Sequence, residues 1–241
     1  FGSTRQAFIS NLNERFKACR VVVVVVSFGA QDGLNQPLNV DATSAEHVCF
    51  VAFVDKATID AYKYGSCEGA WSVVDYGSPL DNPRQNARLA KSLLPYFFPY
   101  AEYTVWVDGK LQLNNDPLRL ITKHLISSKA SVALSENHVR GDVFAEATKL
   151  KGMFRTTLSS KNATFDQQRV DWMEAILTKF RKEKFNGKGL PDSGLLLRRN
   201  DLIGAKVSMM WTQELIEYAF GRDQISFPYV AWKLDYKGIN L

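Results

Sequence analysis

No apolar stretch in this sequence approaches the ~20 residues that a membrane-spanning helix needs. The longest is the valine run Val21 to Val26. There is no block of consecutive Lys and Arg and no RNA- or DNA-binding motif, so nothing points to a nucleic-acid partner. There are only three cysteines, Cys19, Cys49 and Cys67. An odd number without metal-type spacing argues against a zinc site and against a disulfide scaffold. One disulfide remains open, and the spacing does not say which two would pair. Histidine is equally scarce: His47, His124 and His138 are too few for a multi-histidine hydrolytic site. No G-x-S-x-G elbow is present, which removes the usual serine-hydrolase signature. Internal repeats, low-complexity segments and linkers are absent too, and Asn162-Ala163-Thr164 is the one glycosylation sequon.

What is present suits a large α/β domain. The 241 residues are 46% hydrophobic, enough for one sizeable core. Thirty Lys and Arg against 25 Asp and Glu leave a formal charge of +5. That mild basic excess fits an anionic ligand such as a nucleoside diphosphate or an acidic polysaccharide.

The run VVVVVVSFG (21–29) reads as a strand buried on both faces, as in a parallel sheet. Further strands are expected at 48–55, 70–77, 103–108, 131–137 and 193–199. Helices are expected at 84–97, 117–127, 165–184, 201–220 and 223–234. Residues 1–19 read as a polar lead-in or stem remnant, ahead of one domain over 20–241. Strands alternating with helices imply βαβ units and a mixed, mostly parallel sheet flanked by helices. In such sheets ligands sit beyond the carboxyl ends of the strands, which directs attention to the polar residues there.

WVDGKLQL (106–113) closes an apolar strand with Asp108. Many sugar-nucleotide transferases carry Asp-x-Asp at such a strand end, where the carboxylates hold a divalent ion that neutralises the diphosphate leaving group. Here the third residue is Lys110. Either Asp108 holds a metal such as Mn²⁺ with other ligands, or the Lys110 ammonium takes part of the metal's role. A plain Asp-Gly turn is the simpler alternative. In NPRQNARLAK (82–91), Pro83 stands where a helix would begin. Arg84, Arg88 and Lys91 then share one helical face, suited to a diphosphate or merely to solvent. In GRDQISF (221–227), Asp223 and Gln224 offer a carboxylate and an amide for an oxocarbenium-like transition state; Asp223 would also serve as a helix N-cap. His138, Arg140 and Asp142 cluster in SENHVRGDVFAEA (135–147) as candidate sugar-binding groups, with Asp142 able to cap the next helix. Asp192, Ser193 and Gly194 open a strand, and glycine there would let backbone approach a ligand.

Taken together, the blocks 21–37, 48–55, 82–99, 103–117 and 221–227 resemble a plant family of Golgi hexosyltransferase-like proteins. That family was long catalogued as a domain of unknown function and includes mucilage-related pectin-synthesis proteins. The resemblance runs from about Cys19 to Leu234. The family pattern tends to have Arg where Gln85 stands and Lys where Arg88 stands. The order of basic helix, strand ending in Asp, and later Asp-Gln is also similar to glycogenin-like retaining transferases. Those have a full Asp-x-Asp, so metal dependence does not carry over.

The resemblance implies a GT-A fold, a nucleoside-diphosphate sugar donor, a glycan acceptor and a Golgi-lumen location behind a type II membrane anchor outside this chain. By it, Ser27, Phe28, Gly29 and Asp55 would contact the nucleoside. Arg84, Arg88, Lys91 and Lys110 would neutralise the diphosphate, with or without a metal on Asp108. Asp223 and Gln224 would stabilise the transition state. The same family has been linked to ceramide cleavage, so a lipid-amide hydrolase is the alternative; a catalytically inactive sugar-binding scaffold is the third.

Overall fold

Alternate valines of β1 (Val21–Ser27) enter different cores. Val22, Val24 and Val26 join the larger apolar cluster, while Val21, Val23 and Val25 join the smaller one on the opposite face. A strand apolar on both sides is stable only in the middle of a covered sheet, and that is its position. In this computed structural model, which describes residues 3–137, 139, 141–157, 163–218, 222–235 and 239–240, β1 pairs in parallel with β2 (Val48–Val54) and with β5 (Tyr103–Asp108).

Outside β2 lie β4 (Trp71–Asp75), parallel, and the two-residue β3 (Cys67–Glu68), antiparallel. Outside β5 lie β7 (Pro191–Arg199) and β6 (Val132–Glu136), joined by antiparallel pairings, and then the two-residue β8 (Ile239–Asn240), parallel to β6. The order is β3-β4-β2-β1-β5-β7-β6-β8. The sheet is mixed with parallel pairs at its centre, as expected. The two additional strands, β3 and β8, are too short to leave a hydrophobic period.

The larger cluster is covered by α1 (Ser3–Phe16), α4 (Pro83–Ser92), α5 (Leu94–Phe97), α7 (Val143–Thr157), α8 (Ala163–Lys182), α9 (Leu202–Glu217) and α10 (Asp223–Lys233). The smaller cluster is covered by α6 (Pro117–Ile121), which continues as a π-helical turn through Ile126. The short helices α2 (Ala42–His47) and α3 (Lys56–Tyr62) flank β2 in sequence. The polar lead-in contributes Ile9, Leu12 and Phe16 to the larger cluster. Its Arg5 lies 4.0 Å over the Tyr76 ring and donates to the Tyr76 carbonyl at 2.9 Å. Cys19 and Cys49 form a disulfide that ties the approach to β1 to β2, and Cys67 is a free thiol on the exposed edge.

The helix expected over 84–97 is two helices, broken at Leu93. Pro95 supplies no N–H, so the Lys91 carbonyl lacks its i+4 donor. Both terminal nitrogens of Arg198 stand 3.5 Å from that carbonyl instead. Arg198 is wholly buried, and burial pushes its guanidinium down to about 9.

Candidate active site

The chain leaves β1 to build β2 and β4 on one side, then returns to place β5 on the other. Connections that diverge in this way open a crevice at the carboxyl ends of the two strands. A cleft of about 530 Å³ lies there, with Phe28 beyond β1 and Trp106, Asp108, Gly109 and Lys110 at the end of β5 among its walls. Antiparallel β7 begins at the same edge, because Leu195 pairs with Val107, so Asp192 and Ser193 also line the cleft. One face of α4 and the first turn of α10 complete it.

Helix α4 starts where the sequence suggested. The Asn82 side chain accepts from the Arg84 N–H at 2.9 Å, and Pro83 occupies the first turn. Its basic face is turned toward the cleft: Arg84, Arg88 and Lys91 all line it. Exposure falls along that face, from exposed Arg84 through half-buried Arg88 to Lys91, whose side chain is only 3% exposed.

The Lys91 ammonium is placed between two carboxylates. Its Nζ is 2.9 Å from Asp223 Oδ2 and 3.4 Å from Asp108 Oδ1. Ser193 Oγ donates to Asp223 Oδ2 at 2.8 Å, and Arg88 Nε is 4.0 Å from Asp223 Oδ1. Trp106 Nε1 donates to Asp108 Oδ1 at 2.6 Å, and Lys91 Nζ lies 5.3 Å from the same indole ring. Burial alone would raise the Asp223 carboxyl, but Lys91, Arg88 and the Ser193 hydroxyl outweigh it and hold the group well below the usual carboxylate range. The first-turn position on α10 favours the same charge. Asp108 goes the other way: burial raises it, and the Asp223 charge adds to that against the pull of Lys91. The shorter contact explains the split, since the one ammonium belongs chiefly to Asp223.

A divalent ion at Asp108 would need partners that the site does not bring. The position two residues on carries the Lys110 ammonium, and Lys91 is already 3.4 Å from Asp108. Two unit charges at ~4 Å repel by about 4 kcal/mol in a surface-like dielectric, and a divalent ion doubles that. Among the described residues no group of three His, Cys, Asp or Glu side chains is arranged to hold a metal. His47 and His124 do not line the cleft. The donor set therefore does not fit an Asp-x-Asp metal centre.

Other expected site residues fall into two groups. Phe28, Asp192, Ser193 and Gln224 line the cleft; the Gln224 amide donates to the Pro191 carbonyl at 2.9 Å, tying α10 to β7. Gly194 packs beneath Asp108: a Cβ there would lie 3.6 Å from Asp108 Oδ2 and 2.8 Å from Leu111 Cδ1. Ser27 and Asp55 instead build the loop. Ser27 Oγ donates to the Asp32 carbonyl. Asp55 is buried, with Oδ2 accepting from the Gly29 N–H at 2.7 Å and Oδ1 from Thr58 as the N-cap of α3. Both carboxylate oxygens are thus used internally, and neither residue lines the cleft. Gly29 adopts φ +69° against Pro83, a conformation that favours glycine. Asp142 caps α7, accepting from the Ala145 N–H at 2.8 Å, and lies outside the cleft. His138 and Arg140 lie outside the described residues.

The lining residues that the motifs did not single out include Asp32, Trp106, Glu146 and Arg222. Asp32 and Trp106 sit inside the strand-end blocks already singled out, and Arg222 inside GRDQISF. Glu146 comes from α7, and only the tertiary fold brings it to Arg222, 3.8 Å away.

The profile of the TOD1/MUCI70 glycosyltransferase-like domain matches residues 5–241. The chain is 32% identical over 229 residues to an Arabidopsis thaliana protein named probable hexosyltransferase MUCI70, covering 90% of this chain and 38% of that protein. It is 27% identical over 248 residues to Arabidopsis thaliana alkaline ceramidase TOD1, covering 95% of this chain and 52% of that one. The chain thus spans about half the length of these curated relatives or less. Among solved structures, the WbbM bifunctional glycosyltransferase without ligand superposes with a TM-score of 0.50 at 12% identity, over 92% of this chain and 38% of that one. That likeness concerns the fold alone.

Proposed function

The chain belongs to the TOD1/MUCI70 glycosyltransferase-like family, and we propose that it moves a hexosyl residue from a nucleoside-diphosphate sugar to a glycan acceptor. The observation that carries this reading is the Asp108–Lys91–Asp223 cluster at the crevice between β1 and β5, flanked by Arg84 and Lys110. Breaking the bond from C1 to the phosphate leaves positive charge on the sugar and negative charge on the diphosphate. Fixed carboxylates stabilise the first and fixed cations the second. On this reading Asp223, whose neighbours favour its ionised form, faces the developing oxocarbenium, and Asp108 binds sugar hydroxyls. Gln224 is a positioning residue that ties α10 to β7. Phe28 sits beside the nucleoside; Ser27, Gly29 and Asp55 shape the loop that carries it. Asp192 and Ser193 stand toward the sugar from β7.

A cell-wall polysaccharide as acceptor and a Golgi-lumen location belong to the same proposal. The Cys19–Cys49 disulfide supports an oxidising compartment.

The relative named as a ceramidase favours a second reading, lipid-amide hydrolysis. The cleft weighs against it. Five cations (Arg84, Arg88, Lys91, Lys110, Arg222) and five carboxylates (Asp32, Asp108, Glu146, Asp192, Asp223) line its walls, and burying acyl chains against unsolvated charge is unfavourable.

Thermal unfolding with a panel of nucleoside-diphosphate sugars and with ceramide separates the two. A ligand at 100 times its dissociation constant adds about 2.7 kcal/mol. Stabilisation by one nucleotide sugar is the expected result. Stabilisation by ceramide alone would replace the proposal with the hydrolase.

A further inference from the structure

We infer that this cleft neutralises the donor diphosphate with its own fixed cations, Lys110 foremost with Arg84, and requires no divalent metal. The inference rests on the donor reading above and concerns how the same site handles phosphate charge.

Three observations point the same way. First, the position at which an Asp-x-Asp motif would place its second carboxylate holds Lys110, whose charge acts on Asp108 closely enough to favour its ionised form. Second, the cation between the paired acids is already supplied by the chain: Lys91 spans Asp108 and Asp223 from a buried position. A metal there would displace an ammonium whose side chain is only 3% exposed and already bonded to both acids. Third, the remaining lining cations differ in how they are used. Arg88 leans on Asp223 and Arg222 on Glu146. Lys110 and Arg84 are exposed, and among the described residues neither has an ion-pair partner. They come from different elements, one beyond β5 and one in the first turn of α4. Charge available for a ligand is therefore found on solvated side chains, while Asp108 and Asp223 are already compensated by Lys91. A lysine binds phosphate as a point charge without the octahedral demands of a metal.

The test is calorimetric titration of the wild-type chain with the five common nucleoside diphosphates, once in EDTA and once in manganese chloride. The tightest of them is expected to bind with the same dissociation constant in both buffers, within about twofold. Lys110→Met, an exposed change, is expected to weaken that binding about tenfold or more while leaving the melting temperature unaltered, as loss of a charge-assisted phosphate contact does. Binding that disappears in EDTA and returns with manganese would overturn the inference while leaving the donor reading standing. So would unchanged affinity in Lys110→Met. Failure of all five diphosphates in both buffers would overturn the donor reading, and this inference with it.

Discussion

Lys91 and Asp223, 132 positions apart in sequence, meet at 2.9 Å beneath the cleft. The contact joins the end of α4 to the start of α10, so two segments that frame the site are held by one ion pair. It is also where the chain's charge arrangement is least replaceable. Lys91→Met would leave Asp108 and Asp223 without the ammonium that lies between them. Removing one partner of a buried pair costs about 3–5 kcal/mol, so a large fall in melting temperature is expected. Lys91→Met combined with Asp223→Asn should recover a substantial part of it. A double variant as unstable as the sum of the singles would deny the coupling.

Acid should act through the same pair. Asp223 has its folded carboxyl well below the ordinary value of 3.8. The unfolded chain then binds the extra proton, and stability rises with pH across that interval. The contribution is complete above about pH 4 and fades as pH falls toward the folded value. Asp223→Asn lacks it. The stability gap between wild type and Asp223→Asn, measured by urea unfolding, should be widest near neutral pH and shrink below pH 4. A gap that is flat with pH would contradict the assignment.

Gly109 sits where β5 ends and the cleft begins. A Cβ there would come within 2.7 Å of the Val26 carbonyl and 3.3 Å of Asp32 Oδ2. Backbone cannot yield as a side-chain tip does, so Gly109→Ala should push β5 away from β1 and cost roughly 1–3 kcal/mol. It should also weaken nucleotide binding, because Asp108 and Lys110 flank the displaced residue. Unchanged stability and affinity would show that β1 and β5 can part at this point without disturbing the crevice.

The Cys19–Cys49 bridge closes 30 residues of chain. By loop entropy that is worth about 3–4 kcal/mol. Cys19→Ser with Cys49→Ser, or reduction of the wild type, should lower stability by about that amount without altering the Lys91 cluster, which lies at the other end of β1. Loss of nucleotide binding at temperatures where the variant remains folded would place the bridge in the site rather than in the frame.

Much of the frame was legible in the chain, for reasons tied to particular residues. Six valines in a row have few places to go except a central strand, and Asp108 at the end of YTVWVD had to emerge at a sheet edge. The Asn82-Pro83 start of α4 carries its own cap. The break at Leu93 is signalled in the sequence by Pro95 but masked by the hydrophobic period, which continues past it. The site was harder. Asp55 and Asp142 have the local signature of ligand-binding acids and of helix caps alike, because both uses need a free carboxylate, and in the fold they cap α3 and α7. Lys91 looked like one of three surface cations. Only the distance to Asp108 and Asp223, set by strand order and by α10, separates it from Arg84. Glu146 and Arg222 meet through tertiary packing that leaves no trace in either segment.

The measurement closest to the central claim is release of nucleoside diphosphate from a panel of nucleotide hexoses in the presence of glycan acceptors, with wild type, Asp108→Asn and Asp223→Asn compared at equal folded concentration. Wild type is expected to release the diphosphate from one donor and extend the acceptor, with both variants folded and at least about 100-fold slower, as loss of transition-state charge stabilisation does. Full turnover in the two variants, or fatty-acid release from ceramide with no diphosphate from any donor, would contradict it.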